Sequence, residues 1–183
     1  MRIKKHGKMN WTINNNLMRT HMKKYIIRDI HIDDYKQVVA VYNSNRHFLL
    51  NHLGVESVDE AFVSGEVSTM HNAGINSCVI VNGEKQEVQG VLDYKSGNKE
   101  VYLSLLMLAT DSQGKGIGRD VYACFESKMI QLDSASIRID VVNDYDDNLV
   151  PFWKRLGFVE CETVTLEWGN KKSTAIVMRK NIQ

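Results

Sequence analysis

Between residues 100 and 132 the sequence changes character twice, and no other stretch constrains the fold as strongly. Residues 100–109 (EVYLSLLMLA) form a run dense in Leu, Val and Tyr that reads as a strand. A glycine-rich turn follows, and residues 117–132 then place Ile117, Val121, Cys124, Phe125, Met129 and Ile130 on one face of a helix. The alternating run 135–142 reads as a second strand, and the helix between the two strands implies a parallel crossover. The chain therefore builds a sheet containing at least one parallel pair, with a helix packed over it.

The flanking segments predict antiparallel elements. Residues 25–30 read as a strand, followed by a helix with Asp33 as its N-cap and Val38, Val39, Val41 and Tyr42 at helical spacing. Residues 43–55 are irregular and rich in Phe, Leu and His. Residues 57–72 predict a helix opened by the capping box Ser57-Val58-Asp59-Glu60 and stopped at Gly74. The runs 77–81, 88–94 and 100–109 form a meander, turned at Asn82-Gly83 and Ser96-Gly97-Asn98. A short helix over 150–156 stops at Gly157, and strands over 159–168 and 173–179 finish the chain. The order β-α-α-β-β-β-α-β-α-β-β is that of one α/β domain, a mixed and mainly antiparallel sheet with helices on both faces. A single proline, against roughly nine at an average usage of about 5%, argues for nearly continuous regular structure.

Charge is unevenly placed. Residues 1–24 hold Arg2, Lys4, Lys5, Lys8, Arg19, Lys23 and Lys24 with no Asp or Glu, a charge of +7, so the formal +1 of the whole conceals −6 over the rest. We expect a basic, disordered leader over 1–24 and the folded domain over 25–183, with Met22-Lys23-Lys24 offering an alternative start. Cys78, Cys124 and Cys161 are odd in number and widely spaced, and all six histidines precede residue 72. That pattern suits reduced thiols and no metal site. The longest apolar run, 101–110, falls short of the roughly 18 residues of a membrane span, and no secretory apolar core opens the chain. A cytoplasmic protein without a membrane or nucleic-acid partner is the expectation.

The turn itself, Ala109-Thr110-Asp111-Ser112-Gln113-Gly114-Lys115-Gly116-Ile117-Gly118-Arg119, carries the chemistry. Glycines before a helix let backbone N–H groups close on phosphate oxygens. A Walker A loop is excluded, because Gly118 is followed by Arg119 and Asp120. The dinucleotide fingerprint also fails. Arg119 stands where its third glycine belongs, and the preceding strand is the fourth, not the first.

Gln113-x-x-Gly116-x-Gly118 resembles the Gln/Arg-x-x-Gly-x-Gly/Ala signature of the GNAT superfamily N-acetyltransferases. Phe152-Trp153-Lys154-Arg155-Leu156-Gly157-Phe158 resembles that family's second motif, and the resemblance covers everything but the leader. It implies a GNAT-like acyl-CoA N-acyltransferase fold with acetyl-CoA as co-substrate. The backbone of Leu106 and Leu108 would pair with pantetheine. Gln113, Gly114, Lys115, Gly116, Ile117 and Gly118 would hold the pyrophosphate, with charge from Lys115 or Arg119, and Asn148 and Trp153 would lie against the cofactor. The Leu108 N–H would face the oxyanion.

Proton transfer departs from the family pattern. Tyr102 occupies the position of the family's glutamate base, with Glu100 two residues earlier on the same face. The family's acid tyrosine is Trp153, whose indole N–H is no useful acid, which leaves Tyr145 as a substitute. Asp146 takes the spacing of the helper asparagine, between Asn143 and Asn148. The implied acceptor is a small-molecule or protein primary amine, with His47 and His52 either lining its pocket or packing on the core. Asp144, Asp146 and Asp147 form an acidic patch that would favour a cation. A homodimer is open, as is the competing class, an acyl-CoA-binding regulatory module without turnover.

Overall fold

The computed structural model describes residues 10–12, 25–142, 144, 146–168 and 171–183. Its order is β1 (Asn10–Thr12), β2 (Tyr25–Asp29), α1 (Tyr35–Ser44), α2 (Arg46–Phe48), α3 (Glu60–Asn72), β3 (Asn76–Asn82), β4 (Val88–Ser96), β5 (Glu100–Leu108), α4 (Ile117–Gln131), β6 (Ser136–Val142), α5 (Leu149–Arg155), β7 (Val159–Trp168) and β8 (Lys171–Asn181). The strands form one sheet in the order β1-β2-β3-β4-β5-β6-β8-β7. Every pairing is antiparallel except β5 with β6, the crossover expected across α4. Within the basic leader, Asn10–Thr12 pairs with β2 as the edge strand.

Two apolar layers cover the sheet. On one face Val38 and Val41 of α1 and Val63 of α3 pack on Val79, Val81, Val91 and Met107. On the other, Ile117, Val121, Tyr122, Phe125 and Met129 of α4 and Trp153 of α5 pack on Ile80, Leu92, Leu103, Ile137 and Ile139. Lys180 of β8 reaches Glu126 of α4 at 2.6 Å and lies over the Tyr122 ring, tying the far strands to the helix.

Two helix starts differ from the sequence expectation. The corner between β2 and α1 is organised by Asp34 rather than Asp33. The Asp34 carboxylate accepts both Arg28 guanidinium nitrogens at 2.7 and 2.8 Å and the His31 N–H at 2.8 Å. The capping box at Ser57 does not form, and Asp59 caps α3 by accepting from Phe62 N–H. The reason is long-range: the Asn43 side chain bonds both the N–H and the C=O of Val58, holding that residue outside the helix. Residues 43–55 are more regular than expected, since α2 runs on into a π turn, Leu49–Leu53, that ends at Gly54.

Asp93 of β4 is 7% exposed and lines a cavity of about 20 Å³ with Tyr42, Val63, Glu66 and Ser77, room for one water molecule. Burial pushes its carboxyl up to about 7; a Ser77 hydrogen bond opposes the shift and the Glu66 charge adds to it. Between the ordinary carboxyl range and pH 7 the native chain holds a proton that the unfolded chain has released. Stability therefore falls as pH rises through 7. Urea denaturation at pH 5 and pH 8 should show a loss on the order of 2–4 kcal/mol attributable to this group. Asp93→Asn should flatten the profile, and an unchanged slope in that variant would remove Asp93 as its source.

Candidate active site

β5 and β6 pair over three residues only, Glu100 with Ser136, Val101 with Ile137 and Tyr102 with Arg138. Both strands then continue, β5 to Leu108 and β6 to Val142, so the sheet opens into a fork beyond Tyr102. The opening has a local cause. Asp93 lies opposite Leu105 while Tyr94 lies opposite Leu103, which leaves Ser104 as an extra residue on β5. A bulge of this kind bends its strand and raises its twist. It also shifts the alternation: Val101 and Leu103 face α4, and beyond the bulge it is Leu106 and Leu108 that do so, while Leu105 and Met107 face α1 and α3.

Backbone direction follows from the register. Ala109 N–H donates to Gln89 C=O at 2.8 Å, which makes that pair a hydrogen-bonded one. By antiparallel alternation Met107 and Leu105 also turn their backbone groups to β4, whereas Leu106 and Leu108 turn theirs away, into the fork. A ligand strand laid there would find the N–H and C=O of Leu106 and the N–H of Leu108 presented.

At the end of β5, Gly114 and Gly116 have φ of 70° and 80°, a left-handed geometry costly for residues with a Cβ. Gly116 is the N-cap of the 15-residue α4, and no side chain caps it. The N–H groups of Ile117, Gly118 and Arg119 are thus free of intrahelical partners, at the positive end of the helix dipole. Lys115 and Arg119 are exposed beside them, with Arg119 also 3.4 Å from Asp120. Uncapped N–H groups, two αL glycines and two cations form a donor set suited to a pyrophosphate.

The loop is sewn to the opposite side of the fork. Gln113 Nε2 donates to Leu108 C=O at 3.0 Å and to Asn45 Oδ1 at 2.8 Å. Asn45 Nδ2 donates to the same Leu108 oxygen at 2.9 Å. Thr110 N–H donates to Ser44 Oγ, and Thr110 Oγ1 donates to Ser44 C=O. The C-terminal end of α1 and the glycine loop thus meet at the last carbonyl of β5.

A family model described as Acetyltransferase (GNAT) domain matches residues 28–181. The chain is a member of the GNAT acetyltransferase family. No curated protein matches it, but solved structures share its fold. Spermidine N-acetyltransferase from Vibrio cholerae, in complex with CoA and spermine, is 15% identical with a TM-score of 0.68, covering 86% of this chain and 95% of its own. The ribosomal-protein-alanine N-acetyltransferase from Brucella melitensis is 18% identical with a TM-score of 0.63, covering 85% and 98%. An acetyltransferase from Thermus thermophilus is 19% identical with a TM-score of 0.69, covering 88% and 99%.

In this GNAT acetyltransferase Tyr102 lies at the crotch of the fork. Arg138, which donates to both Asp140 carboxylate oxygens at 2.8 and 3.0 Å, lies over its ring at 5.7 Å. Burial first, then the Asp140 charge, raises the phenol above its ordinary range, so Tyr102 stays a neutral donor. Glu100 sits two residues before the opening and accepts from Arg179 Nε at 3.0 Å and Ser136 Oγ at 3.4 Å. Trp153 is 8% exposed, edge-on to Tyr122 and Phe158 in the core. Its neighbour Phe152 is the residue that reaches the loop: a Cβ on Gly118 would meet the Phe152 ring at 3.6 Å and Leu108 at 3.8 Å. Asn148 begins α5, its N–H and Nδ2 both donating to Asp146. Tyr145 and Asn143 lie outside the described residues. His52 stacks on Phe48 at 4.7 Å and Asn51 donates to His47 C=O, both within the turn that follows α1.

Sequence reasoning missed Asn45, Ser104, Asp140 and Phe152. Phe152 was within reach, as the first residue of the second motif. The other three come together only through strand register.

The glycines separate by geometry. Gly116→Ala should cost about 1–2 kcal/mol through its left-handed φ. Gly118→Ala, helical and with only ordinary contacts ahead of it, should be neutral or slightly stabilising. Urea denaturation of the two variants tests the contrast; equal losses would contradict it.

Proposed function

We propose that the protein transfers an acetyl group from acetyl-CoA to a primary amine by direct attack in a ternary complex. The observation behind this reading is the fork itself: the Leu106 backbone and the Leu108 N–H open on one side of a sheet, directly before a glycine turn and an uncapped helix start. Acetyl-CoA, when bound, supplies the activated acyl group. The chain's residues position it. The N–H and C=O of Leu106 pair with the pantetheine arm as an added strand, which leaves the Leu108 N–H for the acyl oxygen. The N–H groups of 113–118, with Lys115 and Arg119, hold the pyrophosphate.

The acceptor enters from the α1 and α3 face. Its ammonium must lose a proton before it can attack, and placed groups contribute about 10²- to 10⁴-fold to such transfers. Tyr102 is the candidate at the opening, and because its phenol stays protonated it acts by orienting the amine through its hydroxyl while the proton passes to water, rather than by ionising. The Leu108 N–H is the donor for charge developing on the acyl oxygen. The −6 carried by residues 25–183 favours a cationic acceptor over an anionic one. A polyamine and an alanine of a ribosomal protein, the acceptors named for two structural relatives, are the first to try.

Acetyl-CoA and CoA should each raise the unfolding temperature, while NAD should not. Thiol release from acetyl-CoA should accelerate with at least one amine of a panel of polyamines and N-terminal peptides. CoA binding without any amine-dependent release would replace this reading with that of an acyl-CoA-binding regulator. Tyr102→Phe should lower kcat by about 10-fold or more and shift the alkaline-side pH profile, with little change in acetyl-CoA affinity. Lys115→Ala with Arg119→Ala should weaken CoA binding by roughly tenfold and make it less salt-sensitive, measured by calorimetry.

A further inference from the structure

We infer that Asn45, at the end of α1, is a positioning residue for acyl transfer: it masks the Leu108 carbonyl so that the fork presents only the Leu108 N–H to the acyl oxygen. This rests on the acetyl-transfer reading above. Within a strand a residue's N–H and C=O point to the same side, so both groups of Leu108 face the fork. An open carbonyl there would set a partial negative charge beside the place where the acyl oxygen gains one, and would offer the pantetheine a competing register.

The carbonyl is not open. Asn45 Nδ2 donates to it at 2.9 Å and Gln113 Nε2 at 3.0 Å. Two donors on one oxygen use both of its lone-pair directions. Asn45 is itself held. Its second amide hydrogen has Val41 C=O as a partner at 2.9 Å, and its Oδ1 accepts from Gln113 at 2.8 Å. The amide cannot rotate without breaking bonds to α1, β5 and the loop together. Gln113 belongs to the family signature, whereas Asn45 lies 68 residues earlier, in the segment that borders the acceptor side. The masking is therefore shared between a donor-side residue and an acceptor-side one, which places the acyl carbonyl in register with both.

Three variants of one position separate masking from packing. Asn45→Asp keeps the size and the acceptor for Gln113 but cannot donate to Leu108. Asn45→Ala loses both contacts. Asn45→Gln keeps the amide on a longer arm and should recover part of the function. Isotope-edited infrared spectra of bound [1-¹³C]acetyl-CoA report the polarisation of the thioester carbonyl without any acceptor, and kcat with the best amine of the panel reports turnover. The wild-type protein should shift the bound thioester band to lower frequency. Asn45→Asp and Asn45→Ala should lose most of that shift and lower kcat by about 10- to 100-fold, with the acetyl-CoA Kd within about threefold of wild type. Both should be assayed well below their unfolding temperatures, because Asn45 also caps α1. A wild-type shift kept in Asn45→Asp would overturn the masking role and leave the acetyl-transfer reading standing. If the wild-type protein binds no acetyl-CoA, or binds it with no shift, the acetyl-transfer reading fails and the inference with it.

Discussion

Everything about this site depends on the early end of the pairing between β5 and β6. A sheet interior ordinarily satisfies every backbone group, and unpaired ones are tolerated only where something else will bind them. Here three residue pairs hold the two strands together and then the ladder stops, with the extra residue Ser104 setting the bend. The same bulge decides which β5 side chains face α4 and which face α1 and α3. One inserted residue thus opens the fork and sorts the two apolar layers.

The second constraint is electrostatic. Residues 25–183 are net acidic, yet the end of β5 collects an uncapped helix N-terminus, Lys115 and Arg119. The helix keeps its first N–H groups open because Gly116 has no side chain with which to close them. Phosphate recognition and acceptor preference can then differ in sign on opposite sides of one sheet, since the helix dipole acts only within its first turn.

Much of this was legible in the sequence for a definite reason: periodicity and turn chemistry are local. The crossover, the meander, α4 and the glycine loop all appear where the pattern put them. The misplacements are long-range in origin. Ser57 has a proper capping sequence, but Asn43, fourteen residues earlier, holds Val58 in place and passes the cap to Asp59. Trp153 stands at a motif position and is a core residue, while Phe152 beside it reaches the loop, because the rotation of a short helix is set by packing with Tyr122 and Phe158.

By itself the sequence determined the element order, the glycines that permit a left-handed turn, and the family signature, since each is a matter of neighbours along the chain. Only the tertiary structure decided that Tyr102 marks the opening of the fork and meets Asp140, that Glu100 is tied to Arg179, and that Asn45 meets Gln113 on the Leu108 carbonyl. Those pairs depend on strand register and on a single bulge. A one-residue shift in register would send Glu100, Tyr102, Asp140 and Arg179 to the other face, and no local pattern records it.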